Sequence, residues 1–454
     1  MDAMAAAPVR IEPPSRPLTG LPWLRTVLDN PMAVWPAEIY REPLVAMRAL
    51  GRPIAFVMAP DLIREVLLNQ ADAFDKGELS RRALSPVLGG ALLTAEGAHW
   101  RWQRRAAAPA FRPESINGLV PTILAAAQRR RATWATLEKG REINVAQEMM
   151  RTTFEVILDA MLSGRHSVDA DRTEQAITQY LATMGWVTVL GTLRVPSWVP
   201  YPGALRAARA RAYLKEVAAS AVRRARADGS NSGTLLAALA GMTDPTVGRA
   251  MDDQDLADNF LTFMAAGHET TALALTWTFY LLSFFPSVEQ RIVDEVELVT
   301  AGGPVDPAHL DALAYTRQVI QESLRLYPPA PLIVRTPLRK VVVGGHVLAP
   351  ETFTYIPVYA VHRHARLWPE PDQFDPERFR PEQVDRRDRY AYLPFGAGPR
   401  ICIGMSFALT EATAILATLL RSFRLHLRRG HCPRMQLRVT LRPGGGMPMR
   451  LLRR

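Results

Sequence analysis

One run near the C-terminal end concentrates the chemistry of this chain: Phe395-Gly396-Ala397-Gly398-Pro399-Arg400-Ile401-Cys402-Ile403-Gly404. Cys402 is followed by an apolar periodic stretch to Leu420, which predicts a helix beginning just after the cysteine. Free backbone N–H groups and the positive end of the helix dipole gather at such a position, and both favour thiolate over thiol. Gly396, Gly398 and Gly404 let the backbone turn tightly and lie flat against a planar ligand. Arg400, two residues from the sulfur, suits a carboxylate on that ligand, and Phe395 offers an apolar wall to shield the sulfur. The plainer alternative is an inert buried cysteine beside a glycine-rich turn.

A second cluster needs a long element to carry it. From Asp252 to Phe285 the chain has acidic residues at its start, Pro286 at its end and no proline between, which predicts one helix roughly 50 Å long at 1.5 Å per residue. In its middle stand Ala266-Gly267-His268-Glu269-Thr270-Thr271, small and polar among Phe263, Met264, Leu273 and Leu275. A threonine hydroxyl there can bond a backbone carbonyl or a neighbouring ligand, and the missing side chain at Gly267 leaves room for O2 or water. His268-Glu269 lacks the second histidine of a His-Glu-x-x-His zinc site. A membrane span is set aside because no other run of this length accompanies it. Further upstream, Trp100 and Arg104, four apart in a helical stretch, share one face and suit a buried anion.

The cysteine run resembles the haem-binding signature of the cytochrome P-450 family, Phe-x-x-Gly-x-Arg-x-Cys-x-Gly, at every fixed position. Chance gives that pattern on the order of once in 10^5 chains of this length. The resemblance implies that Cys402 is the thiolate ligand to the iron of haem b, a ligation that favours O–O bond cleavage. It implies that Trp100, Arg104 and Arg335 meet haem propionates, that Ala266, Gly267, Phe395 and Arg400 border the cofactor, and that Glu269 and Thr270 form an acid-alcohol pair which holds O2 and relays protons. Glu322 and Arg325, with Arg378 of Pro376-Glu377-Arg378-Phe379, resemble the family's buried structural triad. His362-Arg363-His364 stands where the family commonly has His-Arg-Asp, and the missing acid puts a local turn-stabilising bond in question. These motifs follow the family's order from Trp100 to Gly404.

The fold so implied is mainly α with a minor β region, a long central helix lying over a buried haem and a cysteine-ligand loop. Residues 1–30 read as a Pro-rich segment (Pro13, Pro14, Pro17, Pro22) ahead of a single domain spanning 31–454. Residues 34–50 read as an amphipathic helix, Arg52–Met58 as a strand, and 60–69 as a helix opened by Pro60. The stretch 74–96, broken by Gly77, Pro86 and Gly89-Gly90, reads as a long irregular loop. Helical pattern fills 114–228 except at Gly164 and between Gly191 and Gly203, where Trp198, Tyr201 and three prolines suggest an apolar lid. Residues 332–358 are strand-like, Leu332, Ile333 and Val334 being candidates to line a substrate site, and a small terminal sheet follows Leu420 with an inert Cys432.

Composition agrees with a globular chain: 454 residues, 48% hydrophobic, 22% charged. Two cysteines give no disulfide framework and fit a reducing cytoplasm. The formal charge of +11 is almost all arginine. These arginines are scattered, with no nucleic-acid motif beside them, so nucleic acid is not the expected partner. The runs Arg129-Arg130-Arg131 and Arg223-Arg224 read as solvated helix faces. No run of about 20 apolar residues suggests an N-terminal membrane anchor. The resemblance implies a monomeric haem-thiolate monooxygenase acting on an apolar substrate such as a fatty acid, terpenoid or steroid. No flavin, dinucleotide or iron–sulfur motif appears, so electrons are expected from a separate ferredoxin or flavodoxin-type donor docking near Arg400, Arg421 and Arg424. A peroxide-driven peroxygenase and a haem sensor are the competing readings.

Overall fold

The computed structural model describes residues 8–16, 18–49, 51–162, 168–228, 234–244, 246 and 248–454. Gly164, read as an interruption, and Pro17 of the Pro-rich segment lie outside them. The central helix runs Asp253–Leu282 and starts from a capping box, in which Asp252 accepts the Asp255 N–H at 2.8 Å and Asp255 accepts the Asp252 N–H at 3.4 Å. Its 30 residues span about 45 Å and are buried on most sides, so it is a core element rather than a surface stripe. The helix Val145–Met161 packs along it, and a Cβ at Gly267 would come 3.1 Å from Ile157.

Five strands build the main sheet in the order Leu44–Ala49, Arg52–Val57, Phe353–Ile356, Ile333–Pro337, Phe74–Asp75. Arg52–Val57 and Phe353–Ile356 pair in parallel and every other pair is antiparallel. The register sets Arg335 opposite Thr354 and Thr336 opposite Asp75. Two elements differ from the sequence reading. Residues 34–50 are not one helix but two 3-10 turns (Pro31–Val34, Ala37–Tyr40) and a strand, because Pro36 and Pro43 deny the N–H groups that a continuous helix needs. Conversely, most of 74–96 is the helix Gly77–Leu88. Pro86 is tolerated in its last turn, and Gly89 ends the helix at φ +55. Two side chains of the central helix then pin the turn after Gly89: Asp258 accepts the Gly90 N–H at 2.9 Å and Asn259 the Leu92 N–H at 3.0 Å.

The connection between the helices Met184–Thr192 and Ala204–Asp228 rests on Gly77–Leu88, where Arg82 donates to the Val195 carbonyl. Tyr201 packs inward, but Trp198 stands 80% exposed, so the apolar lid expected there is only partly turned to the body. Arg130 departs from the reading of a solvated run: it is buried, bonding Glu148 at 2.8 Å and Thr152 at 3.0 Å.

A polar knot fixes the chain ahead of the cysteine loop. Arg325 donates to both carboxylate oxygens of Glu322 at 2.7 Å and spends its other N–H groups on the carbonyls of His362, Pro371 and Gln373. Both side chains are fully buried, so each needs the other. Arg378 stands third, its Nε 3.6 Å from Glu322. His364, despite replacing an acid, still accepts the Arg366 N–H at 3.3 Å, so the turn keeps its bond. The C-terminal region adds a three-stranded sheet of Glu142–Asn144, Pro448–Arg453 and Phe423–Leu427, and a hairpin of Arg434–Leu437 with Leu441–Gly444. No single helix among the described residues is long and apolar enough to cross a membrane.

Candidate functional site

The cysteine loop is a closed turn. Gly396 and Gly398 take φ +71 and +67, and the Cys402 N–H donates back to the Phe395 carbonyl at 2.9 Å. A Cβ on Gly398 would stand 2.0 Å from the Leu67 carbonyl, in the π-helical turn Glu65–Asn69, so only glycine fits there. The helix Met405–Leu420 begins three residues after Cys402, as its spacing predicts. Cys402 itself is exposed although protein surrounds it on nearly every side, so its sulfur opens onto an internal space. Burial pushes its thiol up, outweighing the Gly404 N–H and the Arg104 charge that favour thiolate. The sign expected from the helix terminus alone is thus reversed in the chain by itself. A cation at the sulfur would restore the thiolate.

Apart from its N-terminal end, the central helix is open at one stretch. Ala266 is exposed and Ala265, Gly267 and Thr270 are half-buried, while the residues on either side are buried. The Thr270 hydroxyl donates to the Ala266 carbonyl at 2.7 Å. Phe111 joins the two walls, tilted against Phe263 at 5.3 Å and lying 4.0 Å from where a Cβ on Gly404 would stand. Gly267 differs from expectation: its missing side chain makes room for Ile157 rather than for a ligand, leaving the opening at Ala266 and Thr270.

Glu269 differs further. Its carboxylate accepts from Arg442 Nε at 2.7 Å and from the Thr440 hydroxyl, both in or beside the C-terminal hairpin. Burial alone would raise its pKa, but the Arg442 charge and these bonds hold it below the usual carboxylate range. The carboxylate is thus held ionised and turned toward the C-terminal hairpin.

Four cations gather at one edge of the space. Arg335 is largely enclosed and pushed down to about 10 by burial and then by the Arg400 charge. Lys76 is pushed down to about 7 by the same two causes. Arg400 pairs with Glu96, donates to the Ala95 carbonyl at 2.8 Å and lies 3.9 Å over the Trp100 ring. Arg104 comes close enough to Cys402 for their charges to interact. The structure therefore brings together Trp100, Arg104, Arg335, Phe395, Arg400 and Cys402, and it adds Lys76 and Glu96, which the sequence reading missed. Glu96 and Asp75, the latter also paired with Arg81, leave these four desolvated cations in excess, so an anionic group fits beside them. A planar dicarboxylate such as haem would meet that need beside the Cys402 thiol. Lys76 carried a faint signal, a lone lysine next to a glycine in a chain otherwise rich in arginine.

The docking arginines are a correction too. Arg421 is held by Glu297 at 2.6 Å and Arg424 by Glu289 at 3.0 Å, while Arg400 faces inward, so none offers free charge to a partner.

A family model described as Cytochrome P450 matches residues 13–448. Cyclooctat-9-en-7-ol 5-monooxygenase of Streptomyces melanosporofaciens is 33% identical over 424 residues, covering 91% of each chain. Pentalenene oxygenase of Streptomyces avermitilis is 30% identical over 454 residues, covering 95% of this chain and 97% of that one. Among solved structures, the cytochrome P450DA heme domain superimposes with a TM-score of 0.81 at 26% identity, covering 91% of this chain and 90% of its own.

Proposed function

Because the chain belongs to the cytochrome P450 family, and is thus a haem-dependent monooxygenase, we propose that it inserts one atom of O2 into a cyclic terpenoid, the other leaving as water. Two electrons and two protons balance each turnover. Haem b, ligated by Cys402, supplies the centre at which O2 is reduced and the O–O bond is cleaved. The observation that carries this reading is that the sulfur of Cys402 is exposed although protein encloses it, with Phe111 linking its loop to the central helix near the open stretch at Ala266 and Thr270.

The chain's own residues divide the work. Lys76, Arg104, Arg335 and Arg400 bind the two propionates, and Trp100 stacks under Arg400 to hold its guanidinium in place. Phe395 and Phe111 keep water from the sulfur. Thr270 can turn its hydroxyl from the Ala266 carbonyl toward O2. Half-buried Leu332, Ile333 and Val334 supply an apolar lining with no charged anchor, as a hydrocarbon skeleton needs. The terpenoid class rests on that lining and on the two Streptomyces relatives. A reducing cytoplasm suits two free thiols.

For the electron donor, we place the docking face on the outer side of the helix Gly97–Ala107. Its inner side already touches the cysteine loop through Trp100 and Arg104. Arg101 is exposed there, its strongest contact 3.8 Å to a fully exposed Asp72, and Arg112 is exposed just past the 3-10 turn Ala108–Phe111 that follows. An acidic ferredoxin or flavodoxin fits such a surface.

The test is reconstitution with haem, NAD(P)H and a ferredoxin pair over a panel of cyclic diterpene and sesquiterpene hydrocarbons, with mass-spectrometric product detection. The holoprotein should show the far-red-shifted carbon monoxide Soret band of thiolate ligation, which Cys402→Ser should abolish. Absence of that band sinks the whole reading. Turnover with peroxide alone, unaffected by Thr270→Ala, points to a peroxygenase.

A further inference from the structure

Between residues 367 and 387, ahead of the cysteine loop, the chain folds around a cleft of about 400 Å³. Trp368 lines it together with Arg378, Arg380, Arg386 and Arg387, which come from the 3-10 turn Pro376–Phe379, the helix Pro381–Arg386 and the residues that flank that helix. Two carboxylates, Asp375 and Glu377, share the lining, so four guanidiniums keep two positive charges in excess. The excess is larger in effect, because Glu377 pairs not only with Arg380 but also with Arg291, outside the cleft. Asp375 accepts the Glu377 N–H at 3.0 Å and so caps the turn. Glu382 and Asp385, exposed on the same short helix, do not line the cleft. Arg386 and Arg387 have no ion pair among the described residues.

Arg387 is set in place before any ligand arrives. Its guanidinium lies 4.3 Å from the centre of the Trp368 ring and 4.8 Å from that of Phe379, and its Nη2 donates to the Arg378 carbonyl. Burial pushes its pKa down, so the cation is held partly out of water with no carboxylate in ion-pair range. A guanidinium stacked by its face keeps edge N–H groups for an oxyanion. Trp368 is 1% exposed, its indole N–H has no partner among the described residues, and Arg325 lies 4.9 Å from the same ring. The ring therefore joins Arg387 to the buried Glu322–Arg325 pair. We propose that this cleft binds a small phosphate-type anion of two or more charges, diphosphate being of a size to engage Arg386 and Arg387 together, and that its binding stiffens the segment leading to the cysteine loop. A single side-chain carboxylate would leave most of that volume empty, and arginine forks match phosphoryl oxygens. None of the lining residues belongs to the haem-facing set, so the site goes beyond the monooxygenase reading.

Isothermal titration of the haem-loaded protein at matched ionic strength tests this with sodium diphosphate, sodium phosphate, a mononucleotide and a hexaglutamate peptide. Diphosphate should fill one site about tenfold more tightly than phosphate, and saturation should raise the thermal unfolding midpoint. Arg386→Gln, at an exposed position, should fold as the wild type does and weaken diphosphate about fivefold, and Arg387→Gln should weaken it about tenfold or more. Arg387→Lys keeps the charge but loses the fork, so it should narrow the preference for diphosphate over phosphate. Arg223→Gln with Arg224→Gln removes two exposed charges from the helix Ala204–Asp228 and should leave binding unchanged. A mononucleotide that outbinds diphosphate would assign an organic phosphate as the ligand, and the reverse the free anion. The absence of a saturable site, or the same affinity in R386Q and R387Q as in the control pair, overturns the proposal. Tighter binding of the peptide than of diphosphate overturns it too, since the cleft would then be a protein-docking surface.

Discussion

The backbone N–H of Leu393 donates to Nε2 of His362 at 2.7 Å, and Nδ1 of the same ring faces the Arg325 carbonyl at 3.0 Å. The ring is therefore the neutral Nδ1–H tautomer, tying the buried Glu322–Arg325 pair to the residues just ahead of the cysteine loop. Burial holds His362 down to about 3, against 6.5 for a free imidazole. Between those values the unfolded chain binds more protons, so the stability this ring contributes is complete above about 6.5 and is lost as pH falls toward 3. From pH 7 to 5 the loss should be about 2 kcal/mol. Chemical denaturation of the wild type and His362→Asn at both pH values should show a shallower pH slope in the variant.

Arg325→Ala leaves Glu322 as a fully buried carboxylate facing only the Asp375 N–H and a distant Arg378. The cost should be roughly 3–5 kcal/mol, enough to prevent haem retention. Arg378→Ala should cost far less, on the order of 1 kcal/mol, because its Nε lies 3.6 Å from a carboxylate already satisfied by Arg325. Haem content and thermal unfolding of the two variants should rank them in that order, and equal losses would refute it.

What the sequence made legible was local. Cys402, its glycines, the Trp100–Arg104 face and the Glu322–Arg325 spacing each lie within one turn or loop, where residue type and period dictate geometry. The central helix was readable because capping residues and a proline bracket an unbroken run. What escaped depends on partners far along the chain. Glu269 meets Arg442, 173 residues away, and no local pattern discloses that a carboxylate will be clamped. Lys76 and Glu96 join the cation cluster only once the sheet and the helix Gly77–Leu88 are folded. Pro86 misled because a proline in a last turn looks like one that breaks a helix.

Gly398→Ala should fail at the loop. Its φ of +67 is unfavourable for alanine, and the new Cβ would stand 2.0 Å from the Leu67 carbonyl, a backbone atom that cannot swing aside. A cost of roughly 3 kcal/mol or more is expected. The far-red carbon monoxide band should be lost or replaced by that of a protein without thiolate ligation. Gly430→Ala, at φ +72 with nothing within 4 Å, controls for strain alone and should keep the band.

Arg101→Glu with Arg112→Glu should slow reduction by an acidic donor about tenfold or more at low salt, with the rate constant between proteins falling rather than the substrate-binding spectrum changing. The wild-type rate should also drop as ionic strength rises. Arg421→Glu is the contrast: its guanidinium is held by Glu297 at 2.6 Å, so it should affect stability more than reduction. Salt-independent reduction of the wild type would remove the electrostatic docking face.

Arg442→Leu strips the buried Glu269 carboxylate of its ion-pair partner among the described residues. The Thr440 hydroxyl cannot hold that charge alone, so the variant should lose about 3 kcal/mol, or take up a proton at Glu269 on folding. Glu269→Gln leaves Arg442 unpaired but partly exposed, and should cost less. Combining the two should recover part of the loss of Arg442→Leu, giving a favourable coupling of roughly 1–3 kcal/mol in a double-mutant cycle. The hairpin is otherwise fastened by Asn30 to the Met435 carbonyl at 2.9 Å and by Trp277 to the Leu441 carbonyl at 3.0 Å, so local loosening should appear before global unfolding. Amide exchange confined to 434–444 in Arg442→Leu would locate the latch there, and unchanged exchange would show that Glu269 does not hold the hairpin.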